Sequence, residues 1–158
     1  MLNFEGEFMD KQYKDIVQFA IERELDAYNF YTEAKKNAKT SNAKTFFDQL
    51  AKQELIHKQK LESMQLSKEV LMDLSVLNID DYSIHESFPN DMQFHMEYQQ
   101  ILLLAIKRET LSAKLYTDIR DIVKDPEQQK VFDRLIKEEQ SHRDSLQLEY
   151  DAYVLTED

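Results

Sequence analysis

Two stretches of this chain, "FDQLAKQELIHKQKLESM" at residues 47–64 and "FDRLIKEEQSHRDSLQLE" at residues 132–149, follow one pattern 85 positions apart. In the first stretch, residues at helical spacing form an apolar stripe whose two central positions are Glu54 and His57. The second stretch has the same two residue types at the same two places. Each stretch therefore predicts a helix whose buried face carries a carboxylate and an imidazole where leucine would be expected.

The similarity between the two halves extends well beyond these helices. Of the 49 ungapped pairs that join residues 13–61 to the residues 85 positions later, 16 are identical. Coiled-coil heptads could produce chance similarity, but apolar residues would then dominate the matches, whereas here Glu, His and Tyr match too. We interpret the chain as a duplicated helical hairpin.

Composition and capping signals favour an all-α protein. The chain has one Gly and two Pro in 158 residues, too few turn residues for a sheet protein. Thr40 or Ser41 can cap one helix, and Asp125 with Pro126 can begin another. The approximate helices are 10–38, 41–65, 91–123 and 126–151.

These helices predict a single domain over residues 1–158. Its hairpin repeats span about 10–65 and 91–151, and residues 66–90 form a crossover. About 24 residues of extended chain reach roughly 80 Å, whereas a helix of about 28 residues is about 40 Å long. The crossover can therefore run the length of a four-helix bundle, between its second and third helices. An up-down bundle with a loose central loop is the alternative.

The spacing of the polar core residues places them at one height in the bundle. Glu24 lies 16 residues before Thr40, while Glu54 and His57 lie 14 and 17 residues after it. The second half repeats these distances around Asp125. The six residues predicted to converge in the core are Glu24, Glu54, His57, Glu109, Glu139 and His142.

Four ionised carboxylates cannot share a low-dielectric interior without compensation, because burial and mutual repulsion would force them to protonate. Two divalent cations would cancel the four charges, and two neutral imidazoles would complete the ligand set. The sequence therefore predicts a pair of bound metal ions. A network of buried salt bridges is the alternative interpretation.

Charge and composition exclude several classes of function. A net charge of −11 argues against nucleic acid as a partner. The chain has no Cys, so it has no disulfide, thiol nucleophile or Cys-ligated metal. Its first residues lack a basic and an apolar leader region, and its longest strongly apolar run, 101–106, is too short to span a bilayer. We expect a cytoplasmic protein with no membrane partner.

The chain resembles the rubrerythrin-like branch of the ferritin-like di-iron carboxylate superfamily. The resemblance is carried by "AIERELDAYNFY" (20–31) with "QELIH" (53–57), and by "AIKRETLSAKLY" (105–116) with "EEQSH" (138–142). It covers both hairpins and implies a ferritin-like fold. It also implies that Glu54 and Glu139 bridge two metals, that Glu24 with His57 completes one metal site, and that Glu109 with His142 completes the other.

Two departures from the family pattern bear on activity. Full-length rubrerythrins carry a Cys-ligated rubredoxin iron, and this chain, having no Cys, has no rubredoxin domain. Rubrerythrins tuned for peroxide carry an additional Glu one turn after the ligand of the third helix, where this chain has Ser112.

Tyr31 and Tyr116 each follow a ligand Glu by seven residues, and we expect their hydroxyl groups to hydrogen-bond to the metal-binding carboxylates. Arg23, Arg108, Lys52 and Lys137 recur in both halves and are expected to face solvent.

The resemblance implies two iron ions as cofactors, with manganese as an alternative and zinc less suited to this ligand set. The expected function is an oxidoreductase that reduces peroxide or dioxygen in oxidative-stress defence, with electrons from an external donor protein. The alternatives are a ferroxidase or iron-handling protein, in which iron is the substrate, and a metal-binding bundle without enzymatic activity. Relatives often form dimers, so a homodimer is also an expectation.

Overall fold

A computed structural model describes the backbone of residues 4–65, 77, 79–82 and 97–157, with side chains described from Asp15 onward except at positions 65, 79, 80 and 157. The predicted all-α class is confirmed. Within these residues lie four long helices, α1 Phe4–Asn37, α2 Ser41–Gln65, α3 Tyr98–Ile122 and α4 Pro126–Glu157. A short 3₁₀ turn, Ile79–Tyr82, lies between α2 and α3.

The helix bounds differ from the predicted ones mainly at the two ends of the chain. Helix α1 begins at Phe4 rather than at residue 10, and α4 continues to Glu157 rather than ending at residue 151. Neither extension contains Pro, the residue that most strongly interrupts a helix. Residues 91–96 of the predicted third helix, and most of the predicted crossover, lie outside the described residues.

The second helix of each hairpin begins at a capping side chain. The Thr40 hydroxyl oxygen accepts a hydrogen bond from the Ala43 backbone N–H at 3.1 Å. Asp125 accepts one from the Glu127 N–H at 3.3 Å, and Pro126 is the first residue of α4. These bonds satisfy amide groups that the first helical turn leaves without partners. The two caps occupy corresponding positions in the repeat.

The helices pack as two hairpins, α1 with α2 and α3 with α4, and the bundle has an apolar core at each end. One core packs the central residues Ile16–Ile21 of α1 and the end of α3 against Tyr82 and Phe132. The other packs the end of α1 and the start of α3 against Phe47 and Leu146. A layer of buried polar side chains lies between the two cores.

The expectation that Arg23 and Arg108 face solvent is wrong. Arg108 is buried, and its guanidinium lies 5.3 Å from the centre of the Phe30 ring. Arg23 is half-buried, donates a hydrogen bond to the Tyr82 carbonyl, and lies 5.8 Å from the centre of the Phe19 ring. Both guanidinium groups lie near aromatic rings of α1, and these cation–π contacts offset part of the free energy that removing a guanidinium from water costs. Lys52 and Lys137 are exposed, as expected.

None of the helices in the described ranges combines the length and the apolar character that crossing a lipid bilayer requires.

Candidate metal centre

The six predicted core residues lie together in the polar layer at mid-height of the bundle. Their ligand atoms form two groups, and within each group all atoms lie within 4.8 Å of one another. Glu54 and Glu139 belong to both groups, which is the arrangement that bridging carboxylates require. The first group is Glu24, Glu54, His57 and Glu139, and the second is Glu54, Glu109, Glu139 and His142.

The two histidines are related by an approximate twofold symmetry that follows the repeat. His57 Nδ1 lies 2.8 Å from Glu139 of the other hairpin, and 3.5 Å from Glu54 of its own. His142 Nδ1 lies 2.9 Å from Glu54 and 3.8 Å from Glu139. The two rings stack with their centres 5.5 Å apart. Each imidazole therefore turns Nδ1 inward, toward carboxylates of both hairpins.

Burial and unsatisfied polar atoms show that this cluster fits metal ions. All six side chains belong to residues no more than 5% exposed. Nδ1 of both histidines, one oxygen of Glu54 and both oxygens of Glu139 are buried without a well-aligned hydrogen bond. The distance of 2.8 Å between His57 and Glu139 is short, but its geometry is poor for a hydrogen bond. Buried polar groups usually find partners, and a cation at each position would supply one.

The pKa values of the four carboxyl groups shift in different directions. Burial and repulsion by the neighbouring carboxylates raise the pKa of Glu139 well above its usual value. Burial, followed by the charge of Glu54, raises the pKa of Glu24 to about 8. Burial also acts to raise the pKa values of Glu54 and Glu109, but close polar contacts with neighbouring side chains, the histidines among them, outweigh it and lower both. Without cations, the cluster compensates its charge by keeping protons.

Both imidazoles retain a proton for the same reason. Burial alone would lower the pKa of each ring, but the surrounding carboxylates reverse that effect. Contacts with Glu139, Glu24 and Glu54 raise the pKa of His57 well above its ordinary value. Contacts with Glu109 and Glu54 raise the pKa of His142 to about 9. Metal ions would displace these protons, because a ligating imidazole must be neutral at the coordinating nitrogen.

The two predicted tyrosines each donate a hydrogen bond to a core glutamate on the other side of the bundle. The Tyr116 hydroxyl donates a hydrogen bond to Glu24, and the Tyr31 hydroxyl donates one to Glu109. Each tyrosine therefore pairs with the glutamate of the other hairpin, not with the one seven residues before it. Both phenols are fully buried, and burial together with the adjacent carboxylates raises their pKa values well above normal. They remain hydrogen-bond donors at any physiological pH.

Two further residues contact the outward nitrogens of the histidines, and helical spacing alone did not indicate either of them. His57 Nε2 lies 2.7 Å from Glu138, and His142 Nε2 bonds to the side-chain oxygen of Gln53. Gln53 and Glu138 correspond in the repeat, and each immediately precedes a core glutamate. Their position next to the core glutamates indicated that they lie near the site. Each of them, however, contacts the histidine of the other hairpin. Spacing within one hairpin could not reveal such a partner.

The outward nitrogens face a cleft between α2 and α4. Its volume is about 320 Å³, and it is lined by Gln53, Ile56, His57, Lys60, Glu138, Ser141 and His142. The cleft brings solvent close to the imidazole rings, whereas the carboxylates lie behind them.

A four-helix bundle that buries paired Glu and His groups in its centre has the architecture of ferritin-like di-metal carboxylate proteins. The Rubrerythrin family profile matches residues 15–150. The chain belongs to the rubrerythrin family.

Solved structures agree with this assignment at the level of the fold. One is a Thermotoga maritima protein described as a candidate ferritin-like diiron-carboxylate protein, 25% identical, with a TM-score of 0.70 and coverage of 87% of this chain and 93% of the other. Another is a hypothetical protein from Pyrococcus furiosus, 22% identical, with a TM-score of 0.66 and coverage of 87% of each chain. No curated protein matches this sequence significantly.

Proposed function

We propose that this protein is an oxidoreductase that reduces peroxide or dioxygen in oxidative-stress defence, at a pair of iron ions. The observation that carries the proposal is the pair of buried ligand groups that share Glu54 and Glu139. Two divalent ions would balance the four carboxylates that the bundle buries. When bound, a ferrous pair would supply two electrons, one from each ion, for the reduction of an oxidant.

The donor set supports iron, with manganese as the alternative. Carboxylate oxygens and imidazole nitrogens suit both metals, whereas structural zinc sites favour tetrahedral sets rich in Cys and His. Glu54 and Glu139 would bridge the ions, Glu24 with His57 would complete one position, and Glu109 with His142 would complete the other. The phenols of Tyr116 and Tyr31 would orient the terminal carboxylates of Glu24 and Glu109.

The surroundings of the centre support a small substrate. The ligand residues are almost fully buried, so a molecule that reaches the metal positions from the cleft beside the imidazoles has to be small. Reduction of hydrogen peroxide to two water molecules consumes two electrons and two protons. Because the chain has no Cys-ligated iron to store electrons, we propose that a separate donor protein returns the ferric pair to the ferrous state.

The test uses purified protein loaded anaerobically with ferrous iron and mixed in a stopped-flow instrument with peroxide or with dioxygen. We expect oxidation of the bound pair by at least one of these oxidants, and repeated consumption of that oxidant when a reductant is supplied. Glu54→Gln should abolish turnover. Glu62→Gln, on the same helix but paired with Lys58 at the surface, is the matched control and should retain it.

Two outcomes would contradict the proposal. Consumption of ferrous iron far beyond two ions per chain would identify iron as the substrate and favour the ferroxidase alternative. Tight binding of two ions without oxidation by either oxidant would favour a metal-binding protein without this enzymatic activity.

A further inference from the structure

We propose that Glu138 and Gln53 make the two metal positions unequal, so that the position ligated by His57 binds its metal first and more tightly. This inference rests on the proposed metal centre and adds an order of filling to it. It concerns the hydrogen-bond partners of the ligands rather than the ligands themselves.

Two corresponding residues of the repeat differ in charge. Position 53 in the first hairpin corresponds to position 138 in the second, and the chain has an amide at one and a carboxylate at the other. Glu138 lies 2.7 Å from His57 Nε2, and the Gln53 side-chain oxygen bonds to His142 Nε2. The internal symmetry of the centre therefore breaks at the atoms that hydrogen-bond to the two imidazoles.

The hydrogen bonds to the terminal carboxylates do not break the symmetry. Tyr116 donates to Glu24 and Tyr31 donates to Glu109, so both terminal carboxylates receive a phenol. Glu54 and Glu139 are common to both positions. The partners of Nε2 thus distinguish two positions whose ligand types are otherwise the same.

A carboxylate and an amide act differently on a metal-bound imidazole. With Nδ1 turned toward the metal position, Nε2 carries the proton and donates it in a hydrogen bond. A negatively charged acceptor draws that proton more strongly, which increases the electron density at Nδ1 and its strength as a ligand. Glu138 also adds a negative charge near the His57 position, whereas Gln53 adds none near the His142 position.

Lys60 moderates this difference but does not remove it. Its ammonium lies 3.3 Å and 3.4 Å from the two Glu138 oxygens, on the side facing the cleft. Glu138 and Lys60 are both partly exposed, so water screens their pairing. The His57 hydrogen bond is the shorter contact, and the His57 side chain is only 2% exposed. Outer partners of metal-ligating histidines typically change metal affinity about 10-fold to 100-fold when altered. We expect a preference near the lower end of that range.

The experiment measures where the first metal ion binds, independently of activity. Metal-free protein is crystallised with half an equivalent of Mn²⁺ per chain, and anomalous scattering gives the occupancy of each position. Calorimetric titration with Mn²⁺ gives the two stepwise affinities in solution. We expect the His57 position to hold about ten times more Mn²⁺ than the His142 position.

Three variants separate this effect from a general loss of structure. Glu138→Gln gives both histidines an amide partner and should make the occupancies nearly equal. The exchange variant Gln53→Glu/Glu138→Gln retains the net charge and moves the carboxylate to His142, so it should move the preference to the His142 position. Lys60→Met removes the cation but retains the acceptor, and should leave the preference at His57.

The outcomes also distinguish this inference from the proposed function. Equal occupancy in the unaltered protein, or an exchange variant that still fills the His57 position first, would overturn the order of filling while leaving the metal centre intact. Failure of the unaltered protein to bind either Mn²⁺ or ferrous iron at either position would overturn both.

Discussion

At the scale of single residues, Tyr31 and Tyr116 stabilise a buried glutamate on each side of the centre by donating a hydrogen bond to it. A hydrogen bond from a protein donor replaces the water that a carboxylate loses on burial. Removing that donor usually costs about 1–3 kcal/mol of stability. Both phenols are at most 1% exposed, so water cannot take their place without rearrangement. Their contribution should therefore be measurable as stability, even without metal.

We predict that Tyr31→Phe and Tyr116→Phe each lower the free energy of unfolding of the metal-free protein by about 1–3 kcal/mol. Each change removes one hydroxyl and leaves Glu109 or Glu24 without its donor. Urea denaturation followed by circular dichroism measures the change. Tyr28→Phe, on α1 but only half-buried, is the control. Variants as stable as this control would show that the phenols only fill space.

At the scale of secondary-structure elements, the capping residues set the height of the ligands. Helix α2 begins immediately after Thr40, and α4 begins immediately after Asp125. Because a helix rises 1.5 Å per residue, a count of residues from each cap fixes the height of each ligand along the bundle. The sequence left Thr40 and Ser41 as alternative caps, and the structure assigns the hydrogen bond to Thr40.

We predict that Thr40→Ala lowers the free energy of unfolding by about 1 kcal/mol, because the Ala43 N–H loses its acceptor. Ser41→Ala is the matched control. Ser41 is exposed and is the first residue of α2, so its replacement should change stability by less than about 0.5 kcal/mol. Thermal and urea denaturation of the two variants give the comparison. A larger loss in Ser41→Ala than in Thr40→Ala would contradict the assigned cap.

At the scale of the whole molecule, protons and metal ions compete for the same polar layer. The pKa of Glu24 rises from 4.5 to about 8, and that of His142 rises from 6.5 to about 9. In both cases the folded protein binds the proton more tightly than the unfolded chain does. This stabilisation is complete below the unfolded pKa and is lost as the pH rises through the folded one. The lowered pKa values of Glu54 and Glu109 act in the opposite direction, but only in more acidic solution.

We therefore predict that the metal-free protein loses at least about 1 kcal/mol of stability between about pH 5 and pH 9. Mn²⁺ at 100 times its dissociation constant should add about 2.7 kcal/mol. At a fixed Mn²⁺ concentration the gain should increase with pH, because protons compete less for the ligands. Urea denaturation with EDTA or with Mn²⁺, across this pH range, gives both quantities. A metal-free protein that becomes more stable toward pH 9 would contradict the protonated cluster.

Much of the fold and the candidate centre could be predicted because it depends on spacing along helices. The interval of three between Glu54 and His57 places both on one helical face, and the repeat supplies the second set. The arginines were harder to predict. Arg108 is charged and was expected at the surface, but its burial depends on Phe30, which lies on a different helix and far away in sequence.

The amino-acid sequence by itself determined the helices, the duplicated hairpin and the common height of the six core residues, since these follow from local periodicity and residue counts. Only the tertiary structure decided which side chains meet across the bundle. It paired Tyr31 with Glu109, and it placed Glu138 against His57. The physical reason is that helical spacing specifies a height and a face. Which residue of a neighbouring helix lies opposite depends on how the two hairpins rotate and pack together.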